Sequence, residues 1–150
     1  MLFRSGDGNY MMNSLIVGGL KVGMEVSVAC PKNYAPDEQV LAFARESDKF
    51  SMFENPAKAA KDADVLITDV WASMGQEGEA LERQKAFKGF QINRELMNIA
   101  KPDAMVLHCL PAHREEEITA EIFEEHAAEI FEEAENRLHA QKAVLVTLMK

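Results

Sequence analysis

A histidine and a cysteine stand where the apolar run Ala104-Met105-Val106-Leu107 gives way to a loop, in the segment His108-Cys109-Leu110-Pro111. The run reads as a buried strand, and open α/β sheets bind ligands beyond the carboxyl ends of their strands. A thiol in that position has two readings. It is a small buried hydrophobe, or it orients a substrate amine and, as thiolate, accepts its proton. A second polar cluster, Asp69-Val70-Trp71-Ala72-Ser73-Met74-Gly75-Gln76-Glu77, follows the apolar run Val65-Leu66-Ile67-Thr68. Asp69 either caps the next turn or holds a substrate ammonium group through a charge-assisted hydrogen bond. In the second case Ser73 and the backbone at Met74 hold α-carboxylate and α-amino groups. Trp71 reads as a packing anchor, and Gly75 as a hinge. His108, Cys109 and His113 form a local set of three ligand-type residues, but no second cluster exists and no metal is expected.

These residues need a scaffold that brings strand ends together. Short apolar runs alternate with helical patterns, which argues for an α/β fold with a doubly wound parallel sheet and helices on both faces. Strands are expected at 24–29, 49–53, 64–68, 104–108 and 129–131. Helices are expected at 11–22, 37–46, 56–61, 93–100 and from Thr119, where the hydroxyl caps a short helix. A last helix is expected over 135–149, with Leu138 and Leu145 as exposed apolar positions. The runs Glu115-Glu116-Glu117, Glu124-Glu125 and Glu132-Glu133 read as solvated surface. Gly6-Asp7-Gly8-Asn9 forms a strand-to-helix turn or a ligand loop; it lacks the third glycine of a dinucleotide fingerprint. The residues before it, Met1-Leu2-Phe3-Arg4-Ser5, are expected to be a non-native leader or a truncated first strand, because Arg4-Ser5 suits a buried central strand poorly. The domain proper is expected over 6–150.

The two long motifs together resemble the ornithine carbamoyltransferase family, whose amino-acid half carries D-x-W-x-S-M-G-Q-E and H-C-L-P. The likeness runs on through Glu135-Asn136-Arg137. It implies a Rossmann-like amino-acid-binding domain that joins L-ornithine to the carbamoyl group of carbamoyl phosphate, with neither cofactor nor metal, because the leaving group is already activated. It also implies specific roles. Asp69, Ser73 and Met74 bind ornithine, Cys109 and the Leu110 carbonyl face its reacting amine, and Arg137 polarises the carbamoyl oxygen. The family has asparagine where this chain has Tyr10, so Asn9, Tyr10 or Asn13 takes that contact. Glu115 replaces a family glycine. The family's phosphate-binding domain, with its S-T-R-T-type loop, is not found in these 150 residues. The resemblance also implies a homotrimeric full-length enzyme of arginine biosynthesis. The alternatives are a carbamoyltransferase for acetylornithine or putrescine, a noncatalytic Rossmann-like binding module, and a dinucleotide oxidoreductase domain.

Composition agrees with a globular chain, at 47% hydrophobic and 27% charged residues. A formal net charge of -9 disfavours nonspecific binding to nucleic acid or anionic membranes. No apolar stretch is long enough to span a bilayer. Two cysteines, Cys30 and Cys109, suit a reduced, cytoplasmic setting better than a disulfide scaffold.

Overall fold

The computed structural model describes residues 1–72 and 77–149. Five parallel strands form one sheet: β1 (Leu2–Ser5), β2 (Val26–Ala29), β3 (Phe50–Phe53), β4 (Val65–Thr68) and β5 (Met105–His108). Their spatial order is β3-β2-β1-β4-β5, which is the doubly wound arrangement expected. The order reverses at β1, so the switch point lies between the ends of β1 and β4, where such sheets bind ligands.

Side-chain alternation along the strands builds two apolar layers. On one face Leu2, Val26, Val28 and Ile67 pack against Met12 and Ile16 of α1 (Tyr10–Lys21) and Ala44 of α2 (Glu38–Arg45). On the other, Phe3, Leu66 and Val106 meet Ala59 of α3 (Pro56–Ala59), Phe87 just beyond α4 (Ala80–Ala86), and Leu96 of α5 (Arg94–Met97). Ile122 of α6 (Ala120–Glu125) and Ile130 of α7 (Ala127–Leu148) join the same layer. The helix starts follow local chemistry: Asn9, Asp37, Asn55, Asn93 and Thr119 each accept backbone N–H groups at the head of a helix.

Three expectations are corrected. Leu2–Ser5 is the central strand and is buried throughout, although Arg4-Ser5 looked unsuited to that place. Ser5 is accommodated because its hydroxyl donates to the Phe90 carbonyl at 2.6 Å. Residues 129–131 are not a strand; they lie inside α7, which begins at Ala127 rather than near Glu135. Three residues are too few to separate the two periods, and the Ala- and Glu-rich sequence around them favours helix. The acidic run 115–117 is not all solvated, because Glu117 is fully buried. Helix α4 was not anticipated from the sequence.

Gly8 shows how tightly the β1–α1 turn is packed. A Cβ there would lie 2.3 Å from the Ala35 carbonyl carbon and 2.5 Å from the Tyr34 oxygen, both backbone atoms. Gly8→Ala should therefore destabilise the chain by about 1–3 kcal/mol, the usual cost of overpacking. Urea unfolding checks this; an unchanged midpoint would mean that the 32–36 loop yields without cost.

Candidate active site

The parallel register pairs Thr68 with His108, so the next residues along β4 and β5, Asp69 and Cys109, emerge side by side at the carboxyl edge. This is the shared edge expected from the two motifs. Asp69 is nearly buried and its carboxylate is well held. Oδ1 accepts from the Val70 N–H at 2.8 Å and Oδ2 from Asn9 Nδ2 at 3.1 Å. Asn9 Oδ1 meanwhile accepts from the Met11 and Met12 N–H groups. Asn9 thus couples the first turn of α1 to the Asp69 carboxylate. Asn13 is occupied elsewhere, its Oδ1 accepting from the Asp37 N–H at the head of α2.

Burial pushes the Cys109 thiol up to about 12, and the adjacent Asp69 carboxylate adds to the rise. Near neutral pH the group is a thiol, able to donate a hydrogen bond but not to serve as a resting thiolate base. Leu110 has φ of 54°, in the left-handed region that a non-glycine residue rarely adopts. The turn is braced from below by His108. The Leu110 N–H donates to His108 Nδ1 at 2.9 Å, so the ring proton sits on Nε2 and is donated to Glu117 Oε1 at 2.9 Å. The same Glu117 oxygen accepts from the His113 N–H at 2.7 Å. His108 is therefore a strut rather than a ligand-facing group. A carboxylate oxygen of Glu117 also lies within 4.8 Å of ligand atoms of His113 and Glu116, but Cys109 is outside that group.

Cys109 and Arg137 line one cavity of about 390 Å³, together with Met11, Glu133 and Ala134. The structure thus joins two residues separated by 28 positions, although Arg137 lies well inside α7 rather than near its start. Glu133 was read as surface and is instead half-buried beside Cys109; burial raises its pKa. The signal that finds it is helical spacing, since Glu133 precedes Arg137 by four residues and shares its face. Tyr10 is 90% exposed and lines a different opening of about 720 Å³ with Asp7, Asn9, Asn13, Tyr34 and Arg83. Ser73 and Met74 lie outside the described residues, as does Gly75.

Arg83 of α4 is a further residue the sequence did not point out. It donates to Asp7 at 2.8 Å and to the Trp71 carbonyl at 3.0 Å, and its Nε donates to Glu79 at 3.1 Å. It thereby ties the turn after β1 to the turn after β4. The i,i+4 pair Glu79/Arg83 was the available sequence signal for this helix.

The domain is thus an α/β one in which an acid and a thiol share the carboxyl edge of β4 and β5, and the thiol shares a cavity with an arginine. The chain matches the family model for the aspartate/ornithine carbamoyltransferase Asp/Orn binding domain over residues 2–148, and it belongs to that family. An ornithine carbamoyltransferase of Pyrococcus abyssi is 52% identical over 149 residues, covering 96% of this chain and 47% of the relative. The anabolic ornithine carbamoyltransferase of Pyrococcus furiosus is 51% identical, with the same two coverages. Among solved structures, the anabolic ornithine carbamoyltransferase of Campylobacter jejuni superposes with a TM-score of 0.93 at 44% identity. That match covers 98% of this chain and 50% of the other. The chain spans about half the length of the relatives it matches.

Proposed function

We propose that this chain is the ornithine-binding half of an ornithine carbamoyltransferase. The observation that carries the proposal is the position of Cys109, which shares a sheet edge with Asp69 and a cavity with Arg137. L-ornithine enters with its side-chain amine toward Asp69 and Cys109. The amine is oriented by the thiol and the Leu110 carbonyl, while Ser73 and Met74 hold the α-substituents. Its free Nδ lone pair attacks the carbamoyl carbon of carbamoyl phosphate, the C–O bond to phosphate breaks, and the oxygen leaves with the electron pair. The Nδ proton passes to Asp69, giving citrulline and phosphate. Arg137 stabilises charge on the carbamoyl oxygen through fixed guanidinium donors. Positioning supplies most of the rate enhancement in such a scheme, so both substrates must be held at once.

Titration calorimetry separates the readings. The chain should bind L-ornithine and not NAD, and ornithine should be preferred to acetylornithine or putrescine. The 150 residues alone should make no citrulline, because they offer Arg137 but no phosphate loop, and net charge -9 opposes capture of a dianion. Citrulline formation above the uncatalysed rate and abolished by Arg137→Ala would show that these residues build their own phosphate site. Tighter binding of putrescine than of ornithine would move the substrate assignment.

A further inference from the structure

Arg4 is the largest fully buried side chain in the molecule's central strand, and it lies directly under the Asp69–Cys109 edge. Its Nη2 is 3.9 Å from Asp69 Oδ2, which is ion-pair distance but too long for a hydrogen bond. Nε, Nη1 and Nη2 all lack a hydrogen-bond partner among the described residues. Gly6 permits this placement: a Cβ at that residue would stand 3.2 Å from Arg4 Nη1. A buried guanidinium without hydrogen bonds is costly to keep in a sheet centre. Burial lowers the pKa of Arg4, and the carboxylates of Asp69 after β4, Asp7 after β1 and Glu117 ahead of α6 oppose that fall; Glu133 of α7 is also within its field, and Cys109 after β5 would add to them only as a thiolate. Among the described residues Arg83 is the other buried arginine, and it is already committed to Asp7 and Glu79.

We propose that Arg4 is a specificity-determining residue of this site, whose buried charge at ion-pair distance from Asp69 offsets that carboxylate from beneath and weakens the site's hold on a protonated amine. The proposal rests on the ornithine-binding reading and deepens it. An acid that faces an amine favours its ammonium form, which has no lone pair and cannot attack a carbonyl. A cation placed behind that acid reduces the bias, so the bound amine is more readily the free base that the reaction consumes. Arg4 itself is sealed from the cavity, and it acts through its field and not by touching the ligand. A unit charge roughly 6–7 Å from the amine, at an effective dielectric of about 20, is worth at least about a tenfold change in relative affinity.

The test compares the chain with Arg4→Leu, and with Arg4→Met if the leucine variant does not fold; Arg4→Lys keeps the charge. Calorimetry at pH 8 measures affinity for L-ornithine and for L-2-aminopentanoate, which has the same carbon chain without the side-chain amine. The apolar variant should prefer ornithine over 2-aminopentanoate about tenfold more strongly than the parent, and the lysine variant should match the parent. A second readout does not depend on amino-acid binding. The field of Arg4 favours the Cys109 thiolate, so alkylation of Cys109 by iodoacetamide at pH 9, mapped by mass spectrometry to separate it from Cys30, should slow several-fold in the apolar variant and recover with lysine. An unchanged preference, or an unchanged alkylation rate, in a folded apolar variant overturns the proposal. If the parent binds neither amino acid, the ornithine-binding reading fails, and the alkylation rates alone decide whether Arg4 acts on this edge.

Discussion

Glu117→Ala should destabilise the chain by about 3 kcal/mol or more, the largest single-residue effect expected on its stability. Glu117 is fully buried and one of its oxygens accepts from both the His108 ring and the His113 N–H. Truncation leaves both donors without a partner in a site closed to water, and each such loss costs about 1–3 kcal/mol. Glu117→Gln keeps an acceptor of the same shape, so it should cost only about 1 kcal/mol. Urea-unfolding midpoints measure the two variants. An alanine variant that loses less than about 1 kcal/mol would show that the pair gives no net stabilisation, as buried ionic contacts sometimes do. The consequence extends to the site. His108 holds the Leu110 N–H, so a chain that folds without Glu117 should also present Cys109 and Leu110 in a looser turn.

Cys109→Ala should lower kcat by about 10²–10⁴-fold in a full-length enzyme that pairs this chain with its phosphate-binding half, the range typical of a lost proton-transfer or orienting group. The unfolding midpoint should move far less, because the change removes one sulfur from a cavity that is already open. Since burial pushes its pKa up to about 12, the group is a thiol near neutral pH and its contribution is orientation by hydrogen bonding beside Asp69. Cys109→Ser, which also donates, should therefore recover part of the lost rate. Asp69→Asn should chiefly weaken ornithine binding, by removing the charge that faces the amine. Steady-state kinetics at saturating carbamoyl phosphate distinguish these outcomes. A Cys109→Ala enzyme with unchanged kcat would reduce Cys109 to packing.

The residues of the candidate site were largely legible in the sequence because the two motifs sit directly after apolar strands. In a parallel α/β sheet every strand ends on the same edge, so Asp69 and Cys109 had to emerge together once β4 and β5 paired. The cap at Thr119 and most helices were legible for a local reason: side-chain acceptors sit where orphan N–H groups need them. What tertiary structure alone decided concerns charges whose surroundings come from distant segments. Glu117 and Glu133 look like solvent-facing acids in a Glu-rich stretch; one is buried by His108 and the other faces Cys109. Arg4 reads as a misfit in a central strand because local patterning prices it as exposed. The carboxylates of Asp69, Asp7 and Glu117, brought to it from separate segments, oppose the effect of burial there. Periodicity reports which face of an element is covered, whereas the field inside the covered region depends on every segment that covers it.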